Sequence, residues 1–310
     1  MTPVARAAVG ALGALAAAGA GAFAYGTFVE RKRYTLRTAS IPVLPPGASD
    51  IRVLHLSDLH MAPWQRDKQA WIRNLARLDP HLVVDTGDNL GHHDGLEGVR
   101  AALDVFSGVP GLYVNGSNDY FGPSFKNPLR YFLGPSKHNK KVQRLDTEAL
   151  ESYFDGLGWT NLNNTATTLE VQGTIIDAFG VDDPHRGFDR LDRIPAALDE
   201  LREEDERGPR LTIGVAHAPY QYVLNSFLTH GAEVVFAGHT HGGQVCVPGY
   251  GAIVTNCDIP RKQVKGLSLW RHGFRSAFLN VSAGLGTSIY SPFRFACPPE
   301  ATLLTLTAAR

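Results

Sequence analysis

The sequence contains few cysteines, and its formal net charge is zero. The sequence contains three cysteines, Cys246, Cys257 and Cys297, an odd number without a Cys-x-x-Cys spacing. We therefore expect neither a disulfide framework nor a thiolate zinc site, although Cys246 and Cys257 flank a Pro-Gly-Tyr-Gly turn and could pair in an exported protein. The 30 basic side chains balance 30 acidic ones. No overall attraction to nucleic acid follows, so we expect no nucleic-acid partner.

Long hydrophobic runs are absent except at the N-terminus. The stretch between Arg6 and Glu30 carries no charge and is rich in Ala and Gly. It is long enough to cross a hydrocarbon core of roughly 30 Å. We therefore predict that residues 1–35 form a membrane anchor or signal segment, and that the chain is a single-pass protein of the cell membrane.

Two alternatives to the anchor stay open. Small residues in Ala-x-Ala patterns would allow a signal peptidase to cut the segment, and its high Ala content also suits an ordinary soluble helix. The membrane face is open as well, because the basic flank at residues 31–33 only narrowly favours a cytoplasmic domain. After a Pro-containing linker over residues 36–50, we expect one α/β domain over residues 51–310.

An alternating apolar run that stops on Asp-x-His organises the rest of the sequence. Residues 53–56 are followed by Ser57, Asp58, Leu59 and His60. The run predicts a core strand whose carboxyl end brings a carboxylate and an imidazole to one point. Two interpretations are open, since such a pair either binds a metal or places a His that caps the strand.

A second apolar run, residues 82–84, also ends in acidic residues, the second of which is Asp88. Residues 64–78 between the two runs have helical spacing, so the three segments predict a βαβ unit. Right-handed crossovers make such strands parallel neighbours. Asp58 and Asp88 are therefore predicted at the same sheet edge, where ligands of open α/β folds bind.

Three further predicted strands end in polar side chains suited to metal binding. A His at a strand end is more often structural than a ligand, but the later Gly-His-Thr-His-Gly sequence is more specific, because Gly leaves room for a close approach. The combined nitrogen and oxygen donors suit Mn²⁺, Fe or Zn²⁺ rather than Ca²⁺. They are too many for one ion, so we expect two divalent metal ions about 3.5 to 4 Å apart that share a carboxylate. The predicted ligands are Asp58, His60, Asp88, Asn118, His217, His239 and His241.

The order of these motifs resembles that of the calcineurin-like metallophosphoesterases: Asp-x-His, Gly-Asp, Gly-Asn-His-Asp/Glu, a separate His, and Gly-His-x-His. The resemblance covers nearly everything from Ile51 onward and is close to bacterial members that are exported or membrane-anchored. It implies an α/β fold, a four-layer β-sandwich flanked by helices, here with an N-terminal transmembrane helix. It also implies that Asp88 bridges two ions. One ion would have Asp58, His60, Asp88 and His241 as ligands, and the other Asp88, Asn118, His217 and His239.

One motif departs from the family pattern. Residues 116–119 are Gly-Ser-Asn-Asp, so an ungapped match puts Ser117 in the slot of the amide ligand and Asn118 in the slot of the catalytic His. A slip of one residue restores Asn118 as the ligand. We adopt the slip, because Ser is a poor metal ligand beside an amide carbonyl, and we assign catalytic roles to Asn118 and Asp119. In either register the usual His is missing, and the spare candidates are His92, His93 and His185.

The resemblance implies a metal-dependent phosphoesterase that hydrolyses a phosphomonoester, phosphodiester or pyrophosphate bond by attack of a metal-bridging hydroxide. We expect a phosphorylated small molecule or lipid as substrate, with its binding residues unidentified, and membrane contact through the N-terminal segment. A basic stretch between Phe121 and Arg144 either holds an anionic substrate or is a solvated loop. The alternative function is a catalytically weak relative that keeps the metal site for ligand binding or structure, which the altered motif favours.

Overall fold

A computed structural model describes residues 2–124, 142–204 and 210–309. Most of the predicted basic stretch, from residue 125 to residue 141, lies outside the described residues. The helices are α1 Pro3–Phe28, α2 Arg66–Asn74, α3 Gly95–Leu103, α4 Ser117–Tyr120, α5 Thr147–Leu157, α6 Ile194–Glu204 and α7 Gln221–Thr229. The strands are β1 Thr35–Leu44, β2 Ile51–Leu56, β3 Leu82–Asp85, β4 Gly111–Tyr113, β5 Trp159–Asn161, β6 Thr165–Val171, β7 Thr174–Val181, β8 Arg210–Ala216, β9 Val234–Ala237, β10 Cys246–Val247, β11 Gly251–Ala252, β12 Gly266–His272, β13 Arg275–Val281 and β14 Glu300–Ala308.

The first sheet has the strand order β1-β14-β2-β3-β4-β5. Strands β2 to β5 run parallel, and the registers Val53 to Leu82 and Val83 to Gly111 align their carboxyl ends. Strand β14 is antiparallel to β2. The loops that carry Asp58 and Asp88 therefore leave the same sheet edge, as the βαβ pattern predicts.

The second sheet has the strand order β12-β13-β9-β8-β7-β6. Its four central strands, β13, β9, β8 and β7, are parallel, and β12 and β6 are antiparallel edge strands. His217 follows β8 and His239 follows β9, each within two residues of the strand end.

The predicted four-layer sandwich is confirmed by how the apolar side chains are buried. Inner residues such as Val53 of the first sheet and Ile213 of the second form the core between the sheets. Helices α2, α3 and α5 cover the outer face of the first sheet, and α6 and α7 cover that of the second. The central strands are buried on both faces, which accounts for their continuous apolar sequences.

Strand β1 occupies most of the segment predicted as a linker over residues 36–50. It pairs in parallel with β14, from Thr35 opposite Glu300 to Leu44 opposite Ala308. Ile41 and Leu44 are 1% exposed. The structure thus corrects the linker to the short turn after Leu44. Pro42 has no backbone N–H to donate. An edge strand such as β1 tolerates this loss, because one of its sides has no neighbouring strand to bond.

The cysteines do not form the pair that the sequence allowed. All three are free and buried. Cys246 lies in a small apolar cluster with Cys297, whereas Cys257 belongs to the core beneath α7. Cys246 and Cys257 therefore lie in two separate apolar environments.

Helix α1 is long and apolar enough to cross a membrane, and none of its most apolar window is covered by the rest of the described chain. A membrane span and an N-terminal signal sequence share these properties.

Candidate metal centre

Polar side chains from both sheets converge at the carboxyl ends of their central strands. One ligand atom from each of Asp58, His60, Asp88 and His241 lies within 4.8 Å of every other. Three of these residues follow β2 and β3 of the first sheet, and His241 follows β9 of the second. The centre thus spans the two sheets, as the strand-end motifs predict.

Five of the predicted ligands have left-handed backbone conformations. The φ angles are 50° at Asp58, 38° at His60, 57° at Asp88, 67° at His239 and 50° at His241. Non-glycine residues rarely adopt this region, and each instance costs on the order of 1–3 kcal/mol. Such strain is typical of functional sites, where the surrounding structure fixes the direction of a side chain.

Asp58 supplies the clearest sign that the first group of residues fits a cation. Its Oδ2 accepts hydrogen bonds from Ser57 Oγ at 2.6 Å and from the His239 N–H at 3.0 Å. Its Oδ1 is buried and has no hydrogen-bond partner among the described residues. It lies 3.5 Å from His241 Nε2. A buried, unpaired carboxylate oxygen is costly unless a cation compensates it.

The imidazoles of this group are placed to offer a nitrogen lone pair to a cation. His241 Nδ1 lies 3.2 Å from the Gly286 carbonyl oxygen, so donation of its proton there leaves Nε2 with a lone pair. His60 Nε2 is 3.2 Å from that atom and 3.5 Å from Asp88 Oδ2. Burial lowers the pKa of His60 to about 4, which keeps it neutral near pH 7. Neutral imidazole is the form that binds metals.

A second group forms around the other oxygen of Asp88. His217 Nε2 is 3.5 Å from Asp88 Oδ1 and 3.2 Å from His239 Nδ1. His217 Nδ1 donates to the Thr86 carbonyl oxygen at 2.7 Å, which directs Nε2 into the centre. Asp88 therefore offers Oδ2 to the first group and Oδ1 to the second. This is the geometry expected of a bridging carboxylate.

Negative charge concentrates near His217. Burial acts to lower the pKa of His217, but the carboxylates of Asp88, Asp58 and Asp183 overcome it and raise the pKa to about 9. The protein thus holds a proton where three carboxylates meet. A divalent cation is able to replace that proton, because metal binding to histidine releases protons.

Close packing explains the glycines beside these motifs. A Cβ on Gly238 would lie 2.7 Å from Asp58 Oδ2, and one on Gly116 would lie 2.7 Å from His217 Cε1. Both distances are shorter than van der Waals contact. The backbone at these two positions thus forms part of the wall of the centre.

In the altered motif, Asn118 contacts Asp88 through both its backbone N–H and its side-chain amide. Helix α4 begins at Ser117, directly after Gly116. Asn118 N donates to Asp88 Oδ1 at 2.7 Å, and Asn118 Nδ2 donates to Asp88 Oδ2 at 2.6 Å. The Asn118 amide thus lies at the oxygen that faces His60, away from the second group for which it was predicted as a ligand.

Asp119 has a different role from the predicted catalytic one. Its carboxylate is fully buried and accepts backbone hydrogen bonds from Asp88 at 2.8 Å, Asn89 at 2.7 Å, Leu90 at 3.2 Å and Gly116 at 2.9 Å. These bonds use both oxygens. Asp119 therefore fixes the loop that carries Asp88 and has no free atom to offer a substrate.

The spare histidines lie in two places. His185 is near the centre, with its ring centroid 4.5 Å from that of His239 and its Nδ1 2.9 Å from the Tyr220 hydroxyl oxygen. His92 and His93 form a separate, partly exposed cluster with Asp94. The structure therefore makes His185 the spare imidazole beside the predicted ligands.

Two buried basic side chains, Lys68 and Arg294, lie beside the candidate centre without belonging to any of its sequence motifs. Lys68 donates to the carbonyl oxygens of Leu59 at 2.5 Å and His60 at 3.4 Å. Arg294 Nη2 donates to the Gly286 carbonyl oxygen at 2.7 Å. Neither residue is near a motif in the sequence, so no local signal identifies them. Both hold loop backbone next to predicted metal ligands.

The comparisons with known proteins agree with this geometry. The family model for calcineurin-like phosphoesterases matches residues 51–243. The uncharacterized metallophosphoesterase YkuE of Bacillus subtilis (strain 168) is 24% identical over 306 residues, which cover 96% of this chain and 94% of that protein.

Two further matches are more partial. A bovine (Bos taurus) transmembrane protein with a metallophosphoesterase domain is 24% identical over 217 residues, 67% of this chain and 44% of that protein. The crystal structure of a 5'-nucleotidase precursor from Thermus thermophilus is 12% identical with a TM-score of 0.46, covering 83% of this chain and 55% of the other.

Proposed function

Because the chain belongs to the calcineurin-like phosphoesterase family, we propose that it is a hydrolase that cleaves phosphate esters at a centre for two divalent metal ions. The observation that carries this proposal is the position of Asp88, which offers one carboxylate oxygen to each of two groups of histidines. The donor set of imidazoles and carboxylates suits Mn, Fe or Zn. Phosphomonoesters, phosphodiesters and pyrophosphates are all candidate substrates.

The residues that would hold the first ion are Asp58, His60, Asp88 and His241, and those nearest the second are Asp88, His217 and His239. When bound, two such ions supply an activated water and offset charge on the phosphoryl oxygens. The chain itself fixes the direction of each ligand through Asp119, Lys68 and the carbonyl partners of His217 and His241. Preorganisation of this kind spares the site a rearrangement during the reaction.

His185 is the side chain best placed to protonate a leaving oxygen. It stands against His239 and is oriented by Tyr220. Asn118, in the slot where the family has its catalytic His, has no proton that titrates near neutral pH. A general acid is typically worth 10²–10⁴ in rate for a poor leaving group. We therefore assign this role to His185.

The attachment of α1 supports a membrane-proximal substrate. The ring of Phe23 stacks on that of Phe293 with centroids 5.4 Å apart. The buried carboxylate of Glu30 accepts hydrogen bonds from the Ala296 N–H at 3.0 Å and the Cys297 N–H at 2.6 Å. Arg294, which lies between Phe293 and Ala296 in the sequence, contacts the loop at Gly286 beside His241. The segment that holds the end of α1 is thus also a wall of the metal centre.

This placement suits a phosphate on a lipid or at the membrane surface. We propose that α1 anchors the protein in the membrane as a single pass. Alkaline carbonate extraction of membranes tests the anchor: the protein stays in the membrane pellet if α1 spans it. Release of a shortened chain whose N-terminus begins within or after α1 would show a cleaved signal instead.

The esterase proposal is tested with the full chain in detergent, stripped of metal and titrated with Mn²⁺. The substrates are a mono-aryl phosphate, a bis-aryl phosphate and pyrophosphate. We expect hydrolysis that requires metal, is lost in His239→Ala and persists in His272→Ala, a matched control on the exposed edge strand β12. Metal-independent turnover, or turnover that survives His239→Ala, would contradict the proposal.

A second candidate function is a metal-binding relative with little catalytic power. The observation that favours it is Asn118 in the slot of the family's catalytic His. This candidate predicts two bound ions without turnover of any substrate in the panel. The first candidate predicts turnover of at least the substrates with good leaving groups.

A further inference from the structure

The second group of predicted ligands is one residue short. Asp88, His217 and His239 are three protein ligands, and the family pattern supplies a fourth through the amide that follows the Gly of its third motif. In this chain Ser117 occupies that position. Its side chain is shorter than that of Asn and carries no amide oxygen. The slot next to Gly116, which abuts His217, is therefore left for another side chain.

Asp183 reaches this slot from the loop after β7. Ser117 Oγ donates a hydrogen bond to Asp183 Oδ2. Asp183 Oδ1 accepts a hydrogen bond from the His185 N–H at 2.8 Å, which fixes the carboxylate on the side away from the slot. The two contacts aim Asp183 Oδ2 at position 117.

The burial of Asp183, together with its lack of a direct ion pair with Lys or Arg among the described residues, also favours a bound cation. The carboxylate is fully buried. Among the described residues it makes no ion pair with Lys or Arg; Arg186, the nearest such side chain in sequence, places Nε 3.4 Å from Ser117 Oγ instead. A buried carboxylate costs several kcal/mol unless it is paired or bound to a metal.

We propose that the Asp183 carboxylate is a ligand of the second metal ion and takes the place of the missing amide, with Ser117 as the residue that positions it. This inference rests on the proposed two-metal centre. Replacing a neutral amide by a carboxylate adds one negative charge. Three carboxylates, Asp58, Asp88 and Asp183, then surround two divalent ions, which favours hard ions such as Mn²⁺ at the second position.

The test measures metal binding by the full chain in detergent. Wild type and variants are loaded with Mn²⁺, passed through a desalting column and analysed for bound manganese, and the affinity of each ion is taken from a calorimetric titration. The variants are Asp183→Ala, Ser117→Ala, the double variant Ser117→Asn with Asp183→Ala, and the control Asp192→Ala, which removes an exposed carboxylate on the same connection.

Asp183→Ala is expected to weaken the second ion by at least about 100-fold, beyond the roughly 10- to 100-fold cost of losing a residue that only orients a ligand. Ser117→Ala is expected to cost at most about 10-fold, because the ligand itself remains. The double variant restores the family's amide and is expected to bind two ions again. Asp192→Ala is expected to match the wild type.

Three results would overturn the inference: an unchanged second affinity in Asp183→Ala, a larger loss in Ser117→Ala than in Asp183→Ala, or no recovery in the double variant. If Asp183→Ala fails to fold, a crystal structure of the Zn²⁺-loaded wild type decides the matter. We expect an Asp183 oxygen about 2.0–2.2 Å from one zinc ion, and a separation of about 3 Å or more contradicts the assignment. A wild type that binds only one ion would instead refute the two-metal proposal on which the inference rests.

Discussion

At the scale of single residues, the candidate centre combines strained backbone conformations with buried side chains whose hydrogen-bond partners fix their direction. Asp58, His60 and Asp88 have left-handed backbone conformations, and their side chains converge on one point. Each loop is then held by a buried group from elsewhere, such as Lys68 under His60. The strained backbone and the supporting buried groups together hold the predicted ligands after each strand in a defined geometry.

A prediction at this scale concerns His185. His185→Gln is expected to slow hydrolysis of an alkyl phosphate about 10²-fold or more and that of a para-nitrophenyl ester much less, because only the poorer leaving group needs a proton. Gln keeps the polar contact to Tyr220. Steady-state kinetics on matched alkyl and aryl substrates measure the effect. An equal loss on both would show that His185 does not serve as the acid.

A second prediction concerns pH and His55 in the core between the sheets. Asn280 Nδ2 donates to His55 Nδ1 at 2.7 Å, and His55 Nε2 lies 3.0 Å from Thr86 Oγ1. Both nitrogens of the neutral His55 imidazole therefore have a hydrogen-bond partner. Burial lowers the pKa of His55 to about 3. Between pH 6.5 and 3 the unfolded chain binds a proton that the folded chain does not, so stability falls as pH falls across that window.

The contribution of this group is about 1.4 kcal/mol of unfolding free energy per pH unit within the window. His55→Gln should remove it, so the pH slope of the variant should be shallower by one proton. Urea unfolding of metal-free wild type and variant between pH 4 and 6 measures both slopes. Equal slopes would mean that His55 is already protonated in the folded protein.

The residues that could be predicted from sequence are those at the ends of apolar runs. Asp58, His60, Asp88, His217, His239 and His241 each lie within four residues after the end of a strand, and a strand end is a local signal. Asp183 likewise follows the end of β7, which is a weaker signal of the same kind. Lys68 and Arg294 could not be found, because their partners are backbone carbonyls that come close only in the folded chain.

At the scale of elements, the short helix α4 is held by contacts that the sequence of the altered motif does not reveal. Helix α4 begins at Ser117. The carboxylate of its third residue, Asp119, accepts hydrogen bonds from the backbone N–H groups of Gly116 and of Asp88. The sequence allowed a slip of one residue because turns with Gly tolerate insertion. The bonds to Asp119 remove that freedom, and no pattern within the motif reveals them.

Asp119→Asn is expected to destabilise this element. An amide offers one acceptor oxygen and turns a donor toward backbone N–H groups, and each unsatisfied buried N–H costs about 1–3 kcal/mol. We expect a lower unfolding free energy and weaker binding of both ions through Asp88. Chemical denaturation and metal titration provide the two readouts.

The matched control is Asp146→Asn at the exposed start of α5, where Asp146 Oδ1 accepts from the Ala149 N–H at 3.0 Å. Asn caps helices about as well as Asp, so this change should be nearly silent. If Asp119→Asn were equally silent, the structural role given to Asp119 would be wrong.

At the scale of the whole molecule, the domain begins earlier than its motifs suggest. Strand β1 pairs with β14 from the far end of the chain, and prolines near its end made this segment look like a linker. Pairing between the two ends of a sequence leaves no local pattern, which is why the sandwich could be predicted and this edge strand could not.

Truncation tests this boundary. A chain that starts at Tyr34 keeps β1, whereas one that starts at Ile51 loses it together with the buried Ile41 and Leu44. Loss of these two side chains alone should cost at least about 3 kcal/mol and expose β14 as a sheet edge. Thermal unfolding and light scattering compare the two chains. Equal melting temperatures would show that β1 adds nothing to the domain.

The proposed two-metal centre depends on Asp88 as the carboxylate shared by both ions. The most direct test is the metal content of the Mn²⁺-loaded full chain in wild type, His60→Ala and Asp88→Ala, with a melting curve to confirm that each is folded. We expect two ions in the wild type, selective weakening of one ion in His60→Ala, and loss of both in Asp88→Ala. Full metal occupancy in folded Asp88→Ala would contradict the shared centre.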